Sequence, residues 1–267
     1  MSRFDKHLSR KNAEMPKEHL TILKKGKEMP ATSALQRADI NKLFEPGYLA
    51  GENGYCRMDN GSMHTAVLIK MPNVTIDMIN WWFWWHAAEG EGIRYRIWYP
   101  EMHFDTDTDF GGYYDDETKS YQERLHLSSH LVTEDVGLGK EKILINFMHP
   151  KDFGYDITKL NDKETTIVCA KVGSPERGLW HTDMCHFVRV LPTGGIEMRS
   201  RFWMGHQIEK MNGFGKGLVK SLMNNSIVKR NLLPTKAGNS MFHHCSQEYH
   251  NMGEFLPELY QEEGPKK

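Results

Sequence analysis

Two alternating runs joined by a short turn are the feature that most constrains how this chain folds. In MCHFVRVLPTGGIEMRSRFWMG, apolar and polar residues alternate on both sides of PTGG at 192–195. A period of two is typical of a half-buried strand, and proline and glycine favour turns. The segment therefore predicts a β-hairpin, in which His186 shares a strand face with Val188 and Val190.

Further strands are predicted in HTAVLIKMP, IRYRIWYPEMH, ERLHLSSHLVTEDVG, EKILINFMHP and ETTIVCAKVG. HTAVLIKMP would be the first strand, because the glycine-rich GYLAGENGYCRMDNG before it indicates an irregular connection. NVTIDMINWWFWWHAAEGEG instead predicts a buried helix, with Thr75 as its N-cap and with Gly90 and Gly92 at its end.

A long helix is predicted near the C-terminus, in NSMFHHCSQEYHNMGEFLPELYQEE. Asn239 or Ser240 can cap it, apolar residues recur at helical spacing, and Gly253 and Pro257 are expected to bend or shorten its far end. One long helix after a series of antiparallel strands indicates an α+β architecture with the helix laid across a curved sheet. The groove between helix and sheet would be the natural pocket.

The first fifty or so residues are polar and contain only short apolar clusters. They predict an N-terminal arm with short helices at 1–60, followed by the folded domain at 61–267. We expect that the arm could pack on a second subunit, which would make the protein a homodimer.

Charge and cysteine content narrow the function classes. The formal net charge is -1, with both signs interspersed, so nucleic acid is not an expected partner. No apolar stretch reaches the roughly 18 to 20 residues of a membrane span. Four cysteines without a CxxC pair, and the lack of a signal-like apolar run at the start, indicate a soluble, cytoplasmic protein that acts on a small molecule.

The segment HHCSQEYH at 243–250 offers possible metal ligands. On a helix, His244 and Glu248 lie on one face, whereas His243 and Gln247 lie about 100° around it. Imidazole with carboxylate suits zinc, and also iron or manganese. A lone pair of this kind is common in solvated helices, so further ligands are needed from elsewhere in the chain.

Two further ligands could come from the ends of predicted strands. His103 and Glu134 are the candidates, although an exposed loop histidine and an ordinary strand-end carboxylate are the plainer interpretations. His186 lies within an alternating strand, where it could be a core histidine or a proton-transfer group facing the groove.

RYRIWYPEMH, VTEDVG, HFVRV, EMRSRFWMG and HHCSQE, in this order, resemble the family of 2,4-diacetylphloroglucinol hydrolase and phloretin hydrolase. These are zinc-dependent enzymes that hydrolyse a carbon-carbon bond in acylated phenols, and the resemblance spans most of 75–260. It implies a Bet v 1-like helix-grip fold and one zinc ion per chain, held by His103, Glu134, His244 and Glu248. The separations of 31 residues between the first two ligands and of four between the last two agree with the family pattern.

The resemblance also implies catalytic roles for Tyr95 and His186, and a small aromatic ketone as the substrate. The sequence departs from the family at Thr106, where an asparagine is expected. His86 matches no ligand position, so a capping or core role is expected for it.

Three functions remain open at this point. The first is a metal-dependent hydrolase of an acylated phenol. The second is a non-catalytic carrier that uses the same pocket. The third is a non-haem iron oxygenase, which is disfavoured because a second carboxylate would occupy a position that oxygen needs.

Overall fold

A computed structural model describes residues 3–88, 92–109, 112–213 and 216–266. In this part of the chain, eight antiparallel strands form one sheet in the order β1-β2-β8-β7-β6-β5-β4-β3. The strands are β1 (Gly54–Arg57), β2 (Met63–Met71), β3 (His103–Asp109), β4 (Ser129–Asp135), β5 (Lys140–Met148), β6 (Thr165–Ser174), β7 (Leu179–Val190) and β8 (Ile196–Lys210).

Nine α-helices lie in the described residues, together with 3-10 segments at Ala31–Ser33, Arg37–Phe44 and Ile157–Lys159. The helices are α1 (Asp5–Leu8), α2 (Lys17–Lys25), α3 (Ile76–Trp85), α4 (Ile93–Trp98), α5 (Tyr121–Leu125), α6 (Pro150–Phe153), α7 (Lys216–Met223), α8 (Ser226–Leu232) and α9 (Thr235–Glu263). None of the helices in the described ranges is long and apolar enough to cross a membrane.

The long helix α9 packs across the sheet and contacts β1 and β2. Its inward face buries Phe242, Met252 and Leu256 completely, in the main apolar core between helix and sheet. Burial of this apolar stripe is what holds a long amphipathic helix against a sheet. The α+β class and the helix-grip arrangement predicted from the sequence are confirmed.

Two local predictions are also confirmed. Strands β7 and β8 form the expected hairpin, in which Val190 pairs with Ile196. Helix α3 is the expected buried aromatic helix, and the Thr75 hydroxyl accepts a hydrogen bond from the Met78 amide as its N-cap. The helix ends at Trp85, and Gly90, which was expected near its end, lies outside the described residues.

The predicted strand in IRYRIWYPEMH is wrong, because residues Ile93–Trp98 form helix α4. Arg94 and Trp98, which an alternating strand would turn to the outer face, are buried together with Tyr95, so the segment is not half-buried. Gly92 starts the helix with φ 60, and a Cβ on it would lie 2.5 Å from the Asp105 Cα. Only glycine allows this close approach of α4 to β3.

Three element boundaries also differ from the predictions. Strand β1 lies in the segment expected to be irregular, where it pairs with β2. The strand expected from ERLHLSSHLVTEDVG begins only at Ser129, because Ser120 and Glu123 form a capping box that starts helix α5. Helix α9 begins before Asn239, at Thr235, and continues past Pro257. The buried contacts of its apolar face offset the backbone hydrogen bond that proline cannot make.

Residues 35–52 attach closely to the outer surface of the sheet. The Trp203 indole donates to the Leu35 carbonyl at 2.8 Å, and Arg37 pairs with Asp183 at 2.8 Å. Glu52 pairs with the buried Arg199 and Arg201. The division into an arm at 1–60 and a domain at 61–267 stays a prediction.

Candidate metal centre and cavity

Two pairs of side chains converge where α9 crosses the end of the sheet. His103 is the first residue of β3 and pairs directly with Glu134 on β4, so neighbouring strands place these side chains side by side. His244 and Glu248 are one helical turn apart on α9 and lie on its buried face. The four residues singled out from the sequence as metal ligands therefore meet at one point.

The distances from the two histidines to each other and to both carboxyl groups are close to the edges of a tetrahedral metal site. His103 Nε2 lies 3.3 Å from His244 Nε2, and 3.5 Å from an Oε2 atom of each of Glu134 and Glu248. His244 Nε2 lies 3.7 Å from Glu248 Oε2 and 3.9 Å from Glu134 Oε2. With metal-ligand bonds of about 2.0 to 2.1 Å, a tetrahedron has edges of roughly 3.3 to 3.4 Å. These residues could therefore hold a single small cation, and the ligand atoms of His103, His244 and Glu248 all lie within 4.8 Å of one another.

Neighbouring groups orient the ligands. The His103 Nδ1–H donates to the Tyr95 backbone carbonyl at 3.3 Å, which leaves the Nε2 lone pair facing the cluster. The Tyr95 hydroxyl donates a hydrogen bond to Glu134 Oε2, and its ring stacks on His103 with centroids 4.1 Å apart. The Trp98 indole donates to the Glu248 backbone carbonyl at 3.1 Å. Helix α4 thus holds ligands from both the sheet and α9.

The electrostatics of the cluster favour a bound cation. Burial lowers the pKa of His103 well below its ordinary value and that of His244 to about 4, so both imidazoles are neutral and their lone pairs are available. Burial raises the pKa of Glu134 to about 7, although the hydrogen bond from Tyr95 opposes this, and burial also raises the pKa of Glu248. A dication would reverse the effect on the carboxyl groups by favouring their charged forms.

A cavity of about 600 Å³ opens beside this cluster, between α9 and the concave sheet. Its wall is mostly apolar and includes Phe83, Val132 and Phe202, while Glu134 and Glu248 supply a polar end. A large apolar pocket with a few convergent polar groups is typical of a small-molecule site.

His186 lines the same cavity from β7, where it lies beside Tyr249, the residue that follows Glu248 on α9. Its Nδ1 lies 2.9 Å from the Ser200 hydroxyl, its Nε2 lies 3.4 Å from the Tyr249 hydroxyl, and its ring stacks on Phe83. Burial lowers the pKa of His186 to about 3, so the ring is neutral. Burial and the charge of the neighbouring Glu248 carboxyl group raise the pKa of Tyr249 well above its ordinary value.

Tyr249 was not identified as a functional residue from the sequence. It recurs at helical spacing with the apolar residues of α9, so the pattern indicated a core position. No local signal shows that its hydroxyl meets His186 on a strand 63 residues earlier.

The remaining predicted residues lie around the cavity or apart from it. His86 is the C-cap of α3, and its Nδ1–H donates to the Trp82 carbonyl at 2.9 Å, which confirms the expected capping and core role. It also lines the cavity. Thr106 is buried on β3, its hydroxyl has no hydrogen-bond partner within the described ranges, and it does not line the cavity there.

Comparison with known proteins adds to this geometry. The chain is 28% identical to a phloretin hydrolase of Eubacterium ramulus, over 97% of this chain and 90% of the relative. It is 29% identical to a 2,4-diacetylphloroglucinol hydrolase of a Pseudomonas species, over 85% of this chain and 76% of the relative. A solved structure of a Staphylococcus aureus protein of unknown function, SA2116, aligns with a TM-score of 0.40 and 10% identity, over 76% of this chain and 98% of the other.

The model of one protein family matches a range that includes the candidate ligands on the strands and those on the helix. The DAPG hydrolase PhiG domain matches residues 35–261, which is most of the chain and includes the whole cluster and the cavity wall. The protein therefore belongs to the DAPG hydrolase PhiG domain family.

Proposed function

We propose that this protein is a zinc-dependent hydrolase that cleaves the carbon-carbon bond between an acyl group and a phenolic ring. The products would be a carboxylic acid and the deacylated phenol. The observation that carries the proposal is the cluster of His103, Glu134, His244 and Glu248 at the polar end of an aromatic-lined cavity, in which the two histidine Nε2 atoms lie 3.3 Å apart and each lies 3.5 to 3.9 Å from an oxygen of both carboxyl groups. Relatives at 28% and 29% identity are named for the hydrolysis of acylated phenols.

Such a reaction has three chemical requirements: an electrophilic carbonyl, an activated water and a ring carbon that can leave with the bonding electrons. Phenolic hydroxyl groups beside the acyl substituent meet the third requirement, because the ring can accept a proton at carbon. Zinc bound by these four side chains would meet the first two, by polarising the carbonyl and acidifying a water molecule.

The residues of this chain would then transfer protons and orient the metal ligands. The acyl carbon gains the hydroxyl of water, and the ring carbon gains a proton as their bond breaks. His186 and Tyr249 form the hydrogen-bonded pair next to Glu248, so we propose that they carry the proton between water and ring. The Tyr95 hydroxyl donates a hydrogen bond to Glu134, so we propose that it positions this carboxylate and does not contact the substrate.

The metal requirement can be tested with adjacent histidines of α9. His244 is buried in the cluster, whereas His243 beside it is exposed. We expect purified protein to hold about one zinc ion per chain, His244→Ala to lose it, and His243→Ala to keep it. Full zinc content and activity in His244→Ala would refute the proposal. No metal in the unaltered protein would favour a carrier, and redox-active iron would favour an oxygenase.

The reaction can be tested by incubating the protein with acylated phloroglucinols, dihydrochalcones and simple β-diketones, and by identifying the carboxylic acid that is released. We expect release to stop when a chelator removes the metal. His186→Asn should keep zinc but lose turnover, because it leaves the four ligands unchanged. Turnover of His186→Asn at the rate of the unaltered protein would exclude His186 from proton transfer.

A further inference from the structure

A second polar position in the cavity is not used by the proposed mechanism. His130 lies on β4 and is fully buried, and neither of its ring nitrogens has a hydrogen-bond partner within the described ranges. It nevertheless lines the cavity. Buried polar atoms in native proteins nearly always have a partner, and a molecule bound in the cavity is in a position to supply one to His130.

The position of His130 is fixed relative to the metal cluster. His130, Val132 and Glu134 alternate along β4, and all three line the cavity, so they share one strand face. Four residues of strand separate the Cα atoms of His130 and Glu134 by about 13 Å. The two side chains can therefore contact opposite ends of one aromatic molecule whose acyl group is at the metal.

His86 lies beside His130, with ring centroids 5.3 Å apart, and also lines the cavity. Because its Nδ1–H donates to Trp82, its Nε2 is left as an acceptor. Burial lowers the pKa of His130 well below its ordinary value and lowers the pKa of His86 to about 4, so both rings are neutral.

The chemistry of this pair selects its ligand. A neutral imidazole offers one donor and one acceptor, which suits a hydroxyl group. Among the described residues that line the cavity, the cationic ones are Lys140 and Arg177, and both are exposed at the surface. A carboxylate or phosphate would therefore lack a charged partner beside His130, whereas an uncharged phenol would not need one.

We propose that His130, with His86 beside it, forms a subsite that hydrogen-bonds a phenolic hydroxyl group at the ring position farthest from the acyl substituent. The identity of the ligand as an acylated phenol rests on the proposed function. The subsite makes the enzyme selective for rings that carry this hydroxyl, because its absence leaves buried ring nitrogens without a partner.

The test compares 2,4,6-trihydroxyacetophenone with 2,6-dihydroxyacetophenone, which lacks only the distal hydroxyl. Selectivity is the ratio of kcat/KM where the compounds are hydrolysed, and the ratio of Kd from calorimetry where they are not. We expect the zinc-loaded protein to prefer the trihydroxy compound and His130→Phe to reduce this preference by about 10-fold. Differences in the intrinsic reactivity of the two compounds cancel when the variants are compared.

His64 provides a matched control. It is also a fully buried strand histidine whose two ring nitrogens lack partners in the described structure, but it packs against Trp203 and does not line the cavity. His64→Phe should keep the preference of the unaltered protein. His130→Gln, which retains an amide donor and acceptor, should keep part of it and serves if the phenylalanine variant does not fold.

Two results would overturn the subsite. One is an equal loss for both compounds in His130→Phe, which would mean that His130 contacts only water or shapes the wall. The other is a failure of the unaltered protein to bind either compound. Release of no carboxylic acid from any acylated phenol would refute the proposed function instead, and the calorimetric ratio would still decide the role of His130.

Discussion

Replacement of Glu52 by glutamine should strongly destabilise the folded state, although Glu52 lies near the N-terminus, outside the sheet. The Glu52 carboxylate accepts hydrogen bonds from Arg199 and Arg201 of β8, including one of 3.2 Å from Arg199 Nε. Both arginines are completely buried, and the Glu52 side chain is 11% exposed. The glutamate is therefore the counter-charge for two cations inside the protein.

The magnitude follows from the pKa of this group. Burial alone would raise the pKa of Glu52, but the charge of Arg201 and the hydrogen bond and charge of Arg199 lower it from 4.5 to about 2. At 1.36 kcal/mol per pKa unit, this difference contributes about 3 kcal/mol to the free energy of unfolding. Because the pKa is lowered in the folded state, the contribution is present above pH 4.5 and is lost as the pH falls through 2.

Removal of the charge leaves two buried guanidinium groups without a counter-ion, which typically costs about 3 to 5 kcal/mol. We expect Glu52→Gln to lose about 3 kcal/mol at pH 7, measured by urea denaturation, and the difference from the unaltered protein to shrink towards pH 2.5. Glu209 is the matched control, because Lys220 and Lys171 lower its pKa to about 2 as well.

The partners of Glu209 are more accessible, since the side chains of Lys220 and Lys171 are 55% and 23% exposed. Solvent screens such a pair, so Glu209→Gln should cost less than about 1 kcal/mol. The reasoning is refuted if Glu52→Gln is no more destabilising than Glu209→Gln at pH 7, or if its deficit is unchanged at low pH.

Two further predictions concern the metal centre. Tyr95→Phe removes the hydrogen bond to Glu134, so the affinity for zinc should fall about 10- to 100-fold. The affinity can be measured by competition with a chromophoric chelator. An unchanged affinity would exclude the positioning role of Tyr95. In metal-free protein, burial raises the pKa of Glu134 to about 7, so the folded state retains a proton that the unfolded chain releases above pH 4.5. Metal-free Glu134→Gln should therefore gain in melting temperature relative to metal-free unaltered protein as the pH rises from 4.5 to 7. The comparison cancels the opposite pH dependence of the buried neutral histidines, which both proteins share. A difference that stays constant over this range would contradict the raised pKa of Glu134.

Local sequence patterns were sufficient for three elements, although most of β8 and α3 are buried on more than one face. The β7–β8 hairpin, helix α3 and helix α9 all follow patterns that involve near neighbours in sequence. The pairing of His244 with Glu248 is of the same kind, because one helical turn is enough to bring them together. These features were therefore predictable without knowing what packs against them.

Helix α4 shows where this reasoning fails. Ile93, Tyr95 and Ile97 alternate as in a strand, but residues between them are buried too, so the alternation did not reflect two different environments. Which faces of a short segment become buried depends on the elements around it, and these are α1, α9 and β3. Tertiary contacts override a six-residue pattern because their free energy exceeds the small difference in local propensity.

The sequence by itself determined the α+β class, the hairpin, the terminal helix and, through ordered motifs, the candidate ligands. Only the tertiary structure decided that the hydroxyl of Tyr249 meets His186, that Tyr95 holds Glu134, and that His130, whose ring nitrogens have no partner among the described residues, lines the cavity. The physical reason is the distance along the chain over which residues interact. Periodicity indicates which way a side chain points from its own element, whereas a site depends on strand register and helix placement across distant parts of the chain.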